Sequence, residues 1–117
     1  MNISQGDVLW ITPNEMNGIE SDHVHPHVVV QVNTQNKVIV CALTSNLKRA
    51  KEPGNVLLDE GEASLPKQSV VVVSQVSTVD QTQLGEYIGA LAEQRIHQVL
   101  AGMRFLQFMT QHHEQAC

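Results

Sequence analysis

The chain reads as one α+β domain, a strongly bent small sheet or barrel with a C-terminal helix covering an open side. Two patterns predict this. Short β-branched runs punctuated by turn residues fill the first three quarters, and near Glu93 the apolar spacing changes to that of a helix. The length of 117 residues corresponds to about one domain on the usual ~100–200 residues each. A hydrophobic content of 42% against 16% charged supplies a core and excludes a disordered chain.

Val8-Leu9-Trp10-Ile11 follows Gly6-Asp7 and stops at Thr12-Pro13-Asn14, which defines a first strand. Asn14 to His25 is polar and is expected to be a long loop. The β-branched run Val28 to Val32 favours a strand, Asn33 to Asn36 is turn chemistry, and Val38 to Leu43 returns as the partner of a hairpin. Lys48 to Lys51 is a basic loop ending at Glu52-Pro53-Gly54. Val56-Leu57-Leu58 is a short strand, and Asp59 to Glu62 a solvated turn. The valines 70–73 after Ser69 suit a strand buried on both faces. A polar turn containing Asp80 then leads to a strand from Tyr87 to Leu91. Ile96, Val99, Leu100, Met103 and Leu106 share one face of the final helix, which tolerates Gly102 in its middle. Residues 1–110 form the expected domain, and 111–117 a frayed tail.

Seven Lys and Arg against twelve Asp and Glu give a net charge of −5 with six histidines neutral. Any phosphate binding must therefore be local rather than spread over the surface. The first residues lack a basic stretch followed by an apolar core, and no apolar run approaches the ~20 residues of a membrane span. A cytoplasmic protein is expected, with Cys41 and Cys117 as reduced thiols. No Gly-x-Ser-x-Gly elbow, phosphate-cradling glycine loop, Cys-x-x-Cys pair or zinc-protease motif is present.

His23-Val24-His25-Pro26-His27 is the densest group of functional side chains. In an extended chain the three imidazoles share a face. They could be a solvated loop, an acid–base site, or part of a metal site needing Glu20 or Asp22 as further ligands. Thr44-Ser45-Asn46 closes an apolar strand with two hydroxyls and an amide, groups that bond a phosphate or satisfy a turn. Lys48, Arg49 and Lys51 are three of the seven basic residues within four positions, which makes phosphate contact an alternative to a merely solvated loop.

The ordered segments resemble the MazF/PemK family of toxin–antitoxin endoribonucleases. The matching pieces are Gly6-Asp7-Val8, Gly18-Ile19-Glu20, His25-Pro26-His27-Val28-Val29-Val30-Gln31 and Ala42-Leu43-Thr44-Ser45. Lys51-Glu52-Pro53 and Ser74-Gln75-Val76-Ser77-Thr78-Val79-Asp80 follow, so the resemblance runs from about Gly6 to Leu106.

The resemblance implies a small SH3-like β-barrel with short helices and a C-terminal helix, usually a symmetric homodimer. It implies cleavage of single-stranded RNA without a metal or other cofactor, and an antitoxin protein that blocks the groove. Carried over by position, Thr44 matches the family's strand-end threonine, and His25 stands where the family has the arginine of an Arg-Pro pair. Ser74 and Ser77 replace a common acidic residue and a common arginine. His25 and Thr44 are therefore the expected catalytic residues. Glu20, His23, His27, Ser45, Asn46, Lys48, Arg49 and Gln75 are the expected substrate-binding ones. A second reading keeps the dimer and partner groove without RNA cleavage. A gyrase inhibitor on the same barrel is disfavoured, because its aromatic C-terminal end has no counterpart in Gln111 to Cys117.

Overall fold

The computed structural model of the chain describes residues 2–11, 25–33 and 35–115, with side chains described through residue 111. The expected loop before His25, with Glu20 and His23, lies outside the described residues, as does Cys117. Among the described residues the strands are β1 (Asp7–Ile11), β2 (His25–Val32), β3 (Lys37–Thr44), β4 (Val56–Leu57), β5 (Val70–Asp80) and β6 (Leu84–Ala90). Helix α1 (Glu93–Gln115) follows, so the backbone stays helical into the segment expected to fray. The strands form one antiparallel sheet in the order β4-β5-β3-β2-β1-β6.

The fold is α+β, and the sheet is curled rather than closed. Its edge strands β4 and β6 are not paired with each other. They nevertheless come round toward one another. Gly89 of β6 lies against the 3₁₀ turn Glu62–Ser64 that follows β4, so closely that a Cβ would fall 2.2 Å from the Ala63 carbonyl oxygen. The SH3-like description therefore holds for the curl, and a hydrogen-bonded barrel does not form.

Alternation along the strands sorts the core onto two faces. On one, Val8, Val28, Val30, Cys41, Leu43, Val71 and Val73 pack under Val99, Ile96, Leu100, Met103 and Leu106 of α1. This is the helical stripe expected from the sequence. On the other, Leu9, Ile11, Val29, Val38, Val40 and Val79 form a smaller cluster that contains no helix residue. Each fully buried valine or leucine contributes about 1.5–3 kcal/mol of transfer free energy. Past Leu106 the apolar side chains of Phe108 and Met109 are largely exposed.

Three strand boundaries differ from expectation. His25, Pro26 and His27 belong to β2, where Ile11 pairs with His25 and Leu9 with His27. Their polarity suggested loop, but β1 and β3 supply backbone partners on both sides. Strand β5 continues to Asp80 instead of ending near Val73. A bulge interrupts its pairing with β3, where Cys41 faces Val76 while Leu43 faces Val71. Residues 71 and 76 thus face the same side, and parity along β5 reverses. Strand β6 correspondingly starts at Leu84, earlier than Tyr87. The hairpin of β2 and β3 forms as expected, with Val32 opposite Val38 and Asn36 in the left-handed region at φ 64°.

Candidate functional site

Several of the expected site residues gather on the sheet face away from α1, at the end of the smaller cluster. Before the bulge of β2, residues 25, 27 and 29 point to this face together with the even residues of β3, since they share parity with Val29 and with Val38 and Val40. His25, His27, Ala42 and Thr44 consequently line one cleft, with His27 directly opposite Ala42. Beyond its bulge β5 brings Gln75, Ser77 and Val79 to the same wall. Arg49 enters from the 3₁₀ turn Leu47–Lys51. The cleft has a volume of about 670 Å³. A smaller recess of about 260 Å³ adjoins it through His25, Leu43 and Thr44, and contains Trp10, Ser45 and Lys67.

The turn after β3 is built by its own polar side chains. The Asn46 side-chain oxygen accepts from the Lys48 backbone N–H at 3.2 Å, capping the 3₁₀ turn. The Asn46 backbone N–H donates to Thr44 Oγ1 at 3.1 Å. Thr44 thus accepts from the turn and keeps its hydroxyl hydrogen for an acceptor in the cleft. Arg49 is held by Glu52 in a two-point contact, Nε to Oε2 and Nη2 to Oε1, each 3.0 Å. That contact holds the Glu52 carboxyl below its ordinary range and raises the guanidinium. Nη1 is not used in it and can donate to an anion.

The two histidines differ. His25 is exposed and shared by both recesses. His27 is partly buried, and its Nδ1 lies 3.0 Å from the His25 carbonyl oxygen. Burial lowers the His27 pKa, the bond to the His25 carbonyl partly offsets this, and the neighbouring His25 ring lowers it further. His27 therefore stays neutral somewhat below the ordinary histidine range.

Of the expected site residues, His25, His27, Thr44, Arg49 and Gln75 meet in the main cleft, and Ser45 lines the adjoining recess. Asn46 shapes the turn without lining either, and Lys48 is exposed on that turn. Among the described residues no three His, Cys, Asp or Glu side chains converge as a metal site. Sequence reasoning missed Ser77, Thr78 and Gln83 as lining residues. The polar–apolar alternation Gln75-Val76-Ser77 was the available signal, hidden because that segment followed a continuous valine run. Cys41 is buried on the opposite face, where its Sγ–H donates to the Val72 carbonyl at 3.0 Å. No described helix is long and apolar enough to cross a membrane.

A curled antiparallel sheet with one C-terminal helix and a cleft on the uncovered face is an architecture represented among solved structures. A mycobacterial endoribonuclease solved in complex with its cognate antitoxin aligns with a TM-score of 0.69 at 17% identity, covering 87% of this chain and 91% of that one. The Mycobacterium tuberculosis toxin MazF-mt6 aligns with a TM-score of 0.65 at 16% identity, covering 85% and 92%. In sequence, the endoribonuclease MazF of Staphylococcus epidermidis is 34% identical over 101 residues, 83% of this chain and 84% of its own length. That of Staphylococcus saprophyticus is 31% identical over 99 residues, 81% and 82%. The chain belongs to the PemK-like, MazF-like toxins of type II toxin–antitoxin systems, whose sequence profile matches residues 4–106.

Proposed function

We propose that this chain is a metal-independent endoribonuclease that cuts single-stranded RNA in the cleft between β2, β3 and β5. The observation that carries this reading is the convergence of His25, Thr44, Arg49 and Gln75, from three separate segments of the chain, in one cleft of about 670 Å³. The reaction is attack of a ribose 2′-oxygen on the adjacent phosphorus with departure of the 5′-oxygen. It needs proton transfer at both oxygens and donors for the charge on the phosphorane. His25 stands at the proton-transfer position. The Thr44 hydroxyl and Arg49 Nη1 donate to non-bridging oxygens. Gln75, Ser77 and Thr78 supply polar contacts for bases or riboses, and Ser45 extends them into the adjoining recess.

Arg49 is the one permanent cation among the described residues of the main cleft, consistent with local rather than surface-wide phosphate binding in a chain of net charge −5. An antitoxin that occupies the cleft, a homodimeric assembly and action in the cytoplasm complete the reading.

The test is incubation of the purified chain, with excess chelator, with a long unstructured RNA of mixed sequence. Discrete fragments bearing 5′-hydroxyl ends are expected, and His25→Ala and Thr44→Val slow their appearance. Intact RNA across pH 5.5 to 8, a range bracketing the ~6.5 reference value of histidine, would leave a binding module with no ribonuclease activity.

A further inference from the structure

We propose that His27 is the general base of this cleavage, with its proton-accepting atom Nε2 selected by the carbonyl oxygen of His25. This rests on the ribonuclease reading above and adds a second catalytic imidazole to it.

A carbonyl oxygen can only accept, so the 3.0 Å contact makes His27 Nδ1 the protonated nitrogen. In the neutral ring the lone pair then belongs to Nε2, the distal ring nitrogen and the atom that takes a proton. The acceptor is the backbone of the residue two positions earlier in the same strand, so β2 itself sets the tautomer. No side-chain rearrangement is needed to hold it. The hydrogen bond also restricts ring rotation, which is what an orienting partner does for a base.

His27 lines the cleft beside Thr44, Arg49, Gln75 and Ser77. Its strand neighbours are Leu9 and Ala42, which offer no competing proton acceptor. The charged and titratable groups around the cleft, among the described residues, are His25 on β2 and Arg49 on the turn after β3, with Glu52 beyond it. β1 contributes Ile11, and β5 contributes Gln75, Ser77, Thr78 and Val79, none of which titrates near neutrality. Burial favours the neutral form of His27. The two imidazoles are two residues apart on one face, about 6.6 Å along the strand at ~3.3 Å per residue. That spacing lets them flank one phosphate.

In the step, the 2′-hydroxyl proton passes to His27 Nε2 as the 2′-oxygen bonds to phosphorus. The bond from phosphorus to the 5′-oxygen breaks, and that oxygen takes a proton from His25 in its imidazolium form. The products are a 2′,3′-cyclic phosphate and a 5′-hydroxyl. His27 leaves protonated and His25 neutral, and exchange with water restores both.

The test combines kinetics with a direct reading of the tautomer. Single-turnover cleavage of the mixed-sequence RNA is followed from pH 5 to 9 for the parent chain, His27→Gln and His27→Asn. The parent rate should rise along an acid limb with its midpoint below 6.5. The variants should lose roughly 10²–10⁴-fold in rate and lose that limb. Long-range proton–nitrogen spectra of the parent chain at neutral pH should place the His27 proton on Nδ1. Variants that cleave with the parent's rate and acid limb would overturn the proposal, and so would a proton on Nε2. The spectra use the parent chain, so the tautomer is read whether or not the variants fold. Absence of cleavage by the parent overturns the ribonuclease reading itself. Cleavage that ignores His27 overturns only this assignment.

Discussion

The carbonyl oxygen of Gly54 stands 2.1 Å from the point a Cβ on Gly102 would occupy, so α1 crosses the Pro53-Gly54 turn backbone to backbone. The relationship is reciprocal. A Cβ on Gly54, whose φ is +81°, would fall 2.7 Å from the Gly102 oxygen. In a helix interior alanine is favoured over glycine by about 1 kcal/mol. Here the obstacle is backbone on both sides and cannot rotate away. Gly102→Ala should therefore destabilise the chain by about 1–3 kcal/mol, the usual cost of overpacking. Urea unfolding reads the sign, and a stabilised variant would show that the helix can lift off the turn freely.

Arg95 ties the start of α1 to the segment between β4 and β5. Its Nε donates to Glu62 Oε2 at 2.9 Å, and Asp59 lies 3.4 Å from Nη2. The Arg95 and Glu62 side chains are only 23% and 19% exposed, whereas Asp59 is 88% exposed and adds little. Arg95→Ala should cost about 1–2 kcal/mol, between a surface pair and a buried charged hydrogen bond. Asp59→Ala should cost under about 0.5 kcal/mol. Chemical denaturation of the two variants checks the order.

The lowered pKa of His27 carries a stability consequence with a definite sign. As pH falls through the ordinary histidine range near 6.5, the unfolded chain takes up this proton before the folded chain does. The unfolded state then binds more protons, and folding free energy declines as pH falls toward the folded pKa. Above that window the stabilisation is fully present. His27→Gln should flatten this part of the profile, which unfolding midpoints at pH 7.5 and 5.5 would reveal. An unchanged slope would place the coupling elsewhere.

Asn46→Ala should remove the cap on the Leu47–Lys51 turn and cost about 0.5–1 kcal/mol, while the backbone bond to Thr44 survives. Because Arg49 rides on that turn, RNA cleavage should weaken chiefly through KM, with kcat less affected. Steady-state kinetics separate the two.

Burial pushes the Cys41 thiol up to about 12. In a Cys117→Ser background, Cys41 should stay silent toward a thiol-disulfide reagent at pH 8 and react fully once urea unfolds the chain. Rapid native reaction would show that the helix-covered core opens.

Much of the architecture was legible because it follows repeating patterns. The α1 stripe of Ile96, Val99, Leu100, Met103 and Leu106 packs as its spacing requires, and the β2–β3 hairpin follows its turn residues. His25 and His27 were less legible because local polarity favours a loop. Their strand is stabilised by pairing with β1 and β3, which no local window contains. The far half of β5 was hidden similarly. Its polar alternation follows a bulge that reverses which residues face the cleft, and a bulge has no compositional signature at this position.

Taken alone, the amino-acid sequence determined the α+β class, the helix-covered core and the residue types available for chemistry. Each depends on periodicity or composition within a few neighbouring positions. The tertiary structure decided how those residues combine: Thr44, Arg49 and Gln75 around two histidines, Asn46 as a cap, and Gly102 as a contact. It also made His25 and His27 unequal, one exposed and one partly buried on a backbone carbonyl. Their side chains are chemically identical. Burial and hydrogen bonding, which arise only when the sheet assembles, make their surroundings differ.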